Sequence, residues 1–364
     1  MIDLKRRILN LTINDSIYSK KYETQIKMNS KNIEIINFLG SGLKNKYINK
    51  VDSILKLRKV IKDFDLVHIN FLAPSYFFYN HFFKHSKLIV SFWGSDLYRY
   101  PKTSKKSKFL QKKIIKNADI ITVVNKKMIP VFHEIFGFEN KPIYETRFGL
   151  PIDFDQIDKI KKNEINDFKK KHNIPDKDYI ITLGYSSDPR KNHEYMINEI
   201  IELSKKRSNI FVFIPLTYGD ETHREKIKKL CDNSFKKYDI NYKILENYMT
   251  NEEIAKFRKA NDIMINIQDT DAMSASMQES LYAGNIVING SWLPYTELLE
   301  NGAYYETIDK LEKGTLSEKI QYIINNFDEL KGKTKVNKKI IYERSSWEIN
   351  IKSWIEVYNK LLEE

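Results

Sequence analysis

Asp269-Thr-Asp271-Ala-Met-Ser-Ala-Ser-Met-Gln-Glu279-Ser-Leu-Tyr-Ala-Gly284-Asn-Ile-Val-Ile is the stretch on which the reading of this chain turns. The apolar run 263–268 before it and the run 286–289 at its end have the length and β-branched content of buried strands. Between them, small residues at Ala272, Ser274 and Ala275 open a segment of helical period that stops at Ala283-Gly284. The unit therefore reads strand, loop, helix, turn, strand. A loop that feeds a helix at the carboxyl end of a parallel strand presents unpaired backbone N–H groups to an anion. Asp271 falls in that loop, and Glu279 falls about two turns into the helix.

The same alternation runs outward in both directions, which is the pattern of parallel strands joined by crossover helices. In the first half it predicts strands at 8–13, 33–38, 66–71, 88–93 and 120–125, with helices at 53–64, 105–117 and 126–136. In the second half it restarts, with strands at 179–184, 210–216, 242–245, 263–268, 286–289 and 303–307 and helices at 193–206, 221–237, 251–260, 274–283 and 316–326. Between the halves, Lys159-Ile-Lys-Lys-Asn-Glu-Ile-Asn-Asp-Phe-Lys-Lys-Lys171 reads as a weakly structured, charged linker. The terminal segment places Trp347, Ile351, Trp354, Val357, Tyr358 and Leu361 on one helical stripe that must dock on a domain. The expected fold is α/β, with two Rossmann-like doubly wound domains facing a central cleft. The expected domains are 1–150, with the helix 346–364 packing back on it, and 151–345.

Such folds bind ligands in loops that follow strands. Leu183-Gly184-Tyr185-Ser-Ser-Asp-Pro-Arg190-Lys191-Asn-His193 follows the first strand of the second half, and paired cations opening a helix suit a diphosphate. Ile214-Pro-Leu-Thr-Tyr218-Gly219-Asp220 ends the next strand; a glycine there admits close backbone approach, and Tyr218 can lie against a base or sugar. In the first half, Trp93-Gly94-Ser-Asp96 ends a buried strand, and Asn14-Asp15-Ser16 follows the first one.

In this context the 269–288 stretch resembles the Glu-x7-Glu element of retaining GT-B glycosyltransferases. These include bacterial phosphatidylinositol mannosyltransferases and many lipopolysaccharide and capsule transferases. Asp271 stands at the first Glu. The resemblance implies that Asp271 lies by the donor sugar's hydroxyls and that Glu279 accepts hydrogen bonds from the nucleotide ribose. The 183–193 stretch looks like the family's Gly-Arg…Lys-Gly element, with Lys191 at the phosphate-binding lysine, Tyr185 in place of the Arg and Asn192 in place of the last Gly. Catalytic roles then fall to Asp271, Glu279, Lys191 and Arg190. Gly184, Tyr185, Tyr218, Gly219, Ser274, Ala275, Ser276 and Glu279 would bind the donor, and Asn14, Trp93, Gly94 and Asp96 the acceptor. Trp93 occupies the place of the family's His in His-Gly-x-Asp, so no general base is expected there; a retaining mechanism, in which the leaving phosphate takes the acceptor's proton, fits that substitution. Arg147-Phe-Gly149-Leu-Pro-Ile-Asp153 matches the interdomain Asn-Gly-Val-Asp segment. The 92–98 and 214–220 segments are also similar to 4-acetamido-fucosyl transferases of enterobacterial common antigen synthesis, which points to a UDP- or dTDP-sugar donor. The activity implied is transfer of a hexosyl or N-acetylhexosaminyl group to a glycan or lipid-linked saccharide in bacterial surface polysaccharide synthesis. Asp269-Thr-Asp271 also reads as the Asp-x-Asp metal motif of the other glycosyltransferase fold. That fold lacks a second Rossmann-like repeat, so no metal or other cofactor is expected.

Composition sets the outer limits. With 364 residues, 41% hydrophobic and 13% aromatic, the chain can bury two cores and is neither disordered nor collagen-like. No apolar run approaches about 18 residues, the N-terminus lacks the apolar core of a secretory signal, and Cys231 is the single cysteine. The expectation is a cytoplasmic protein. Lys and Arg exceed Asp and Glu by 61 − 48 = 13. Part of that excess is the acid-free run Lys102, Lys105, Lys106, Lys108, Lys112, Lys113 and Lys116, near the aromatic-basic segment 76–87. Such a patch suits an anionic membrane surface at the inner face of the cell membrane, with the protein bound peripherally. His68, His81, His85 and His133 show no metal-ligand spacing and read as structural or surface residues. A sugar-nucleotide epimerase or hydrolase of the same fold is the alternative. A nucleic-acid binder ranks below it, because no recognition motif accompanies the charge.

Overall fold

Most strands are short apolar runs buried on both faces, so successive side chains fill a core on either side of each of two sheets. The computed structural model describes residues 5–12, 17–39, 48–84, 86–271 and 273–363. These form two compact units, Met1–Pro151 with Arg344–Glu364, and Ile152–Glu343.

In the first unit the strands are β1 (Arg6–Thr12), β2 (Ile33–Leu39), β3 (Leu66–Asn70), β4 (Lys87–Phe92), β5 (Ile120–Val123) and β6 (Ile143–Glu145), in the order β2-β1-β3-β4-β5-β6. All pair in parallel. Leu9, Leu11, Val67, Ile69, Leu88 and Val90 face one core; Ile8, Ile33, Ile35, Leu66 and Ile89 face the other, which is closed by Trp347, Ile351, Trp354, Val357, Tyr358 and Leu361 of the helix Trp347–Glu363. The terminal stripe is thus buried residue for residue. His68 is a structural histidine. It lies buried on the same face, Nδ1 2.7 Å from the Tyr358 hydroxyl and Nε2 2.6 Å from that of Ser91, and burial pulls its pKa down to about 3, so it bridges sheet and terminal helix in the neutral form.

In the second unit the strands are β7 (Tyr179–Leu183), β8 (Ile210–Pro215), β9 (Asn241–Leu245), β10 (Ile263–Asn266), β11 (Ile286–Gly290) and β12 (Glu306–Ile308), in the order β12-β11-β10-β7-β8-β9. These pairs are parallel too. Ile181, Leu183, Val212 and Ile214 face a core covered by the helices His193–Ser204, Glu221–Lys237 and Thr315–Asn325, while Ile180, Phe211 and Phe213 face Phe168, Ile174 and Phe257. The order in which the chain adds its parallel strands reverses between β1 and β3 in one sheet and between β7 and β10 in the other. These are the switch points where open α/β sheets take ligands.

Several elements differ from expectation. The supposed linker is helical over Lys162–Lys171, because Phe168 plugs the second unit's core and outweighs the run of charges around it. A helix at Ile17–Asn29, anchored by buried Tyr22 and Ile26, and the short β6 escaped the reading. The last strand starts at Glu306, not at 303.

Candidate functional site

The loop after β7 is a tight turn built to bring charge together. Gly184 has φ 64 and Asn192 φ 60, and between them Pro189–Lys191 forms one 3-10 turn. Asp188 caps that turn by accepting from the Arg190 amide at 3.0 Å. It also takes Arg190 Nε at 2.8 Å and Nη2, and this guanidinium pulls its carboxyl down to about 2. The sequence reading pairs Arg190 with Lys191 on a diphosphate; in the structure the Arg190 guanidinium is held by Asp188. Lys191 is 7% exposed. Its ammonium lies 3.4 Å from the centre of the Tyr185 ring and donates to Gln268 Oε1, and burial pulls its pKa down to about 8. At pH 7 it therefore keeps its charge in a dry setting, where a fixed charge acts most strongly on an anion.

The loop after β10 meets this turn. Asn192 Nδ2 donates to Ile267 O at 2.8 Å and to Asp269 Oδ1 at 3.0 Å, and the Asp269 amide donates to Arg190 O at 3.0 Å. Gln268 Oε1 also accepts from the Tyr185 hydroxyl at 3.0 Å, and its Nε2 donates to Asp271 Oδ2. The same carboxylate oxygen accepts from the Tyr295 hydroxyl at 2.6 Å. Asp271 and Lys191, 80 residues apart in sequence, are thus joined through one amide at the switch point between β7 and β10. Ala272 lies outside the described residues. Ser274 is the N-cap of the helix Ala275–Tyr282 and accepts from the Met277 amide at 3.2 Å; Ala275 and Ser276 are that helix's first two residues.

Glu279 is buried inside the second unit, and Arg258 Nε and Nη2 donate to its Oε2 at 3.1 and 3.0 Å. Removing one partner of such a pair leaves a bare buried charge. Two residues that carry this site, Gln268 and Arg258, escaped the sequence reading. Arg258 had left a trace: on the helix Asn251–Ala260 it sits one turn after Ile254, a cation on the apolar stripe.

The third loop follows β8. The Ser187 amide donates to Tyr218 O at 2.7 Å, and a Cβ on Gly219, whose φ is 124, would come within 2.9 Å of the Ser187–Asp188 backbone. The close approach expected of Gly219 toward a ligand is, in the structure, an approach to its own chain. Tyr218 is 44% exposed and stacks at 10° and 6.2 Å on Tyr248, which is 77% exposed and also escaped the reading.

The first unit's candidates fare differently. Asn14 and the rest of 13–16 lie outside the described residues, as does His85. Trp93 is half-buried, with Nε1 donating to Asn70 Oδ1 at 2.8 Å and its ring 4.3 Å from that of Phe148. Asp96 is turned into its own backbone. It is fully buried, and its carboxylate accepts from the amides of Gly94 at 2.8 Å, Trp93 at 3.0 Å and Leu72 at 3.1 Å. Burial raises its pKa to about 6 against these amides. Gly94, with φ 144, is the buried residue that lets the chain turn over this carboxylate. Both build the turn.

Lys102, Lys105, Lys106, Lys112, Lys113 and Lys116 are exposed on and beside the helix Lys105–Asn117, whose buried side is Gln111, Ile114 and Ile115. Phe78 and Phe109 stand exposed on the same unit. The rest of the aromatic segment is corrected: Tyr76, Tyr79 and Phe83 are core residues. Among the described residues, no helix is long and apolar enough to cross a membrane.

Residues 11–125 match the model of the Glycosyl transferase 4-like family. No curated protein matches significantly. Among solved structures, a glycosyltransferase from Rickettsia africae superposes with a TM-score of 0.75 at 16% identity over 98% of this chain and 99% of that one. Anabaena HepE in complex with UDP-glucose gives 0.77 at 12% over 97% and 99%. A UDP-N-acetylglucosamine 2-epimerase, so described provisionally, from Listeria monocytogenes gives 0.67 at 12% over 99% and 97%. At these identities the likeness is one of architecture: the chain has the two-sheet α/β fold of the GT-B glycosyltransferases.

Proposed function

We propose that this chain transfers a hexosyl or N-acetylhexosaminyl group from a UDP- or dTDP-sugar to a glycan or lipid-linked saccharide, with retention and without a metal, in bacterial surface polysaccharide synthesis. The observation that carries this reading is the charged pair Lys191 and Asp271, joined through Gln268 at the β7/β10 switch point. HepE was crystallised with UDP and with UDP-glucose, which supports a nucleotide-sugar donor. The bond between the anomeric carbon and the phosphate oxygen breaks, and its electron pair leaves with the diphosphate. Lys191 and the first amides of the helix His193–Ser204 offset the charge that develops there. The acceptor hydroxyl attacks on the same face and gives its proton to the departing phosphate. Asp271 accepts from the sugar's hydroxyls, Glu279 from the ribose, and the exposed Tyr218–Tyr248 pair offers a face for the base. The Lys102 to Lys116 surface docks on the anionic inner face of the cell membrane, where a lipid-linked acceptor lies.

The test is a screen of UDP- and dTDP-sugars for release of nucleoside diphosphate, repeated with lipid-extract acceptors. Because alanine at 279 would take from Arg258 both its counter-charge and its hydrogen-bond acceptor, the informative variants are Glu279→Gln, which keeps an acceptor oxygen, and Lys191→Ala. Each should lose transfer by about 100-fold or more. Wild-type turnover by either one sinks the site. An epimerase or hydrolase of this fold, a reading that the Listeria neighbour supports, would instead form a freely soluble product with no acceptor present.

A further inference from the structure

Gln268 is 3% exposed, and its amide meets opposite charges at its two ends. Oε1 accepts from the Lys191 ammonium and the Tyr185 hydroxyl; Nε2 donates to the Asp271 carboxylate. The backbone beneath is pinned as well, since Trp292 Nε1 donates to Gln268 O at 2.8 Å. Only an amide side chain, uncharged at any working pH, can accept from a cation with one atom and donate to an anion with its neighbour. A carboxylate in its place would keep the lysine and repel the aspartate; an apolar chain would lose both.

From this juxtaposition, and resting on the donor-site reading above, we propose that Gln268 is a positioning residue that couples Lys191, on the phosphate side, to Asp271, on the sugar side. The two charged groups reach the donor from different strands, and one amide sets the distance between them. The leaving group and the sugar are then gripped in a fixed relation, which matters most where bonds break, because small misplacements of reacting groups cost far more in rate than in binding.

The groups facing Lys191 are Tyr185, Gln268, Asp271, Asp188, Arg190 and His193. With the other five unchanged, substitution at 268 alone should move the lysine's titration. In the full chain, Lys191 is followed through its ε-carbon resonance, assigned with Lys191→Arg. Gln268→Glu should shift its midpoint up and Gln268→Met should shift it down. With donor, Gln268→Glu should lower kcat by on the order of 10- to 100-fold while changing KM far less, and kcat should stay low in Gln268→Met. A Lys191 titration unmoved in both variants overturns the coupling, as does a Gln268→Glu enzyme with wild-type kcat. Should the wild type release nucleoside diphosphate from no donor, the function proposed above falls. The Lys191 titration, which needs no substrate, still decides whether Gln268 couples the two charges.

Discussion

Lys191 sets a pH limit on this site. Its folded pKa is depressed from 10.5 to about 8 by burial, so the charge is lost as pH rises through about 8. A diphosphate requires the charged form. Donor kcat/KM should therefore fall above about pH 8, and in Lys191→Arg that limb should vanish even if the plateau is lower, because a guanidinium stays charged; a pH profile of kcat/KM checks it. The sign for stability is opposite: the unliganded fold gains from the same deprotonation as pH rises from about 8 toward 10.5. Lys191 and Asp271 are legible in sequence because both lie in loops that end strands. Gln268 is not, since it closes an apolar run and looks like its frayed end. Asp96 misleads for a related reason: a carboxylate after a strand reads as a ligand group, and only coordinates reveal three backbone amides turned onto it.

Elements were legible wherever a period was clean. The helices Lys105–Asn117, Glu221–Lys237 and Asn251–Ala260 run over the residues that the pattern marks, and most strands begin or end within two residues of theirs. Ile17–Asn29 and Lys162–Lys171 were lost because each is fastened by one or two buried side chains among many charges, too few to raise a stripe. The terminal helix shows the converse. Its indoles reach the segment after β6: Trp347 Nε1 donates to Leu150 O at 2.9 Å, and Trp354 Nε1 donates to Arg147 O at 2.9 Å. Trp347 also lies so flat on Gly149 that a Cβ there would meet its ring at 2.3 Å. Gly149→Ala should accordingly destabilise the first unit by about 1–3 kcal/mol through overpacking. Urea unfolding followed by tryptophan fluorescence measures it, and an unchanged midpoint would refute the packing argument.

For the molecule as a whole, part of the excess of 13 positive charges falls on a turn and part on a face. Lys191 serves the turn, and the lysines from 102 to 116 are spread over an exposed surface near Phe109. Near an anionic leaflet each adds about 1 kcal/mol. Changing Lys105, Lys106, Lys112 and Lys113 to Glu should abolish co-sedimentation with phosphatidylglycerol vesicles and spare turnover of a soluble acceptor. Vesicle binding that survives the change would reject the face as a docking surface. The helix Trp347–Glu363 carries a different consequence, one of timing. A ribosome releases 152–343, a complete second unit, before it releases the helix that covers Ile8, Ile33, Ile35 and Leu66 of the first. The half made first is thus the half finished last, and during synthesis its bare sheet face is a natural client for a chaperone.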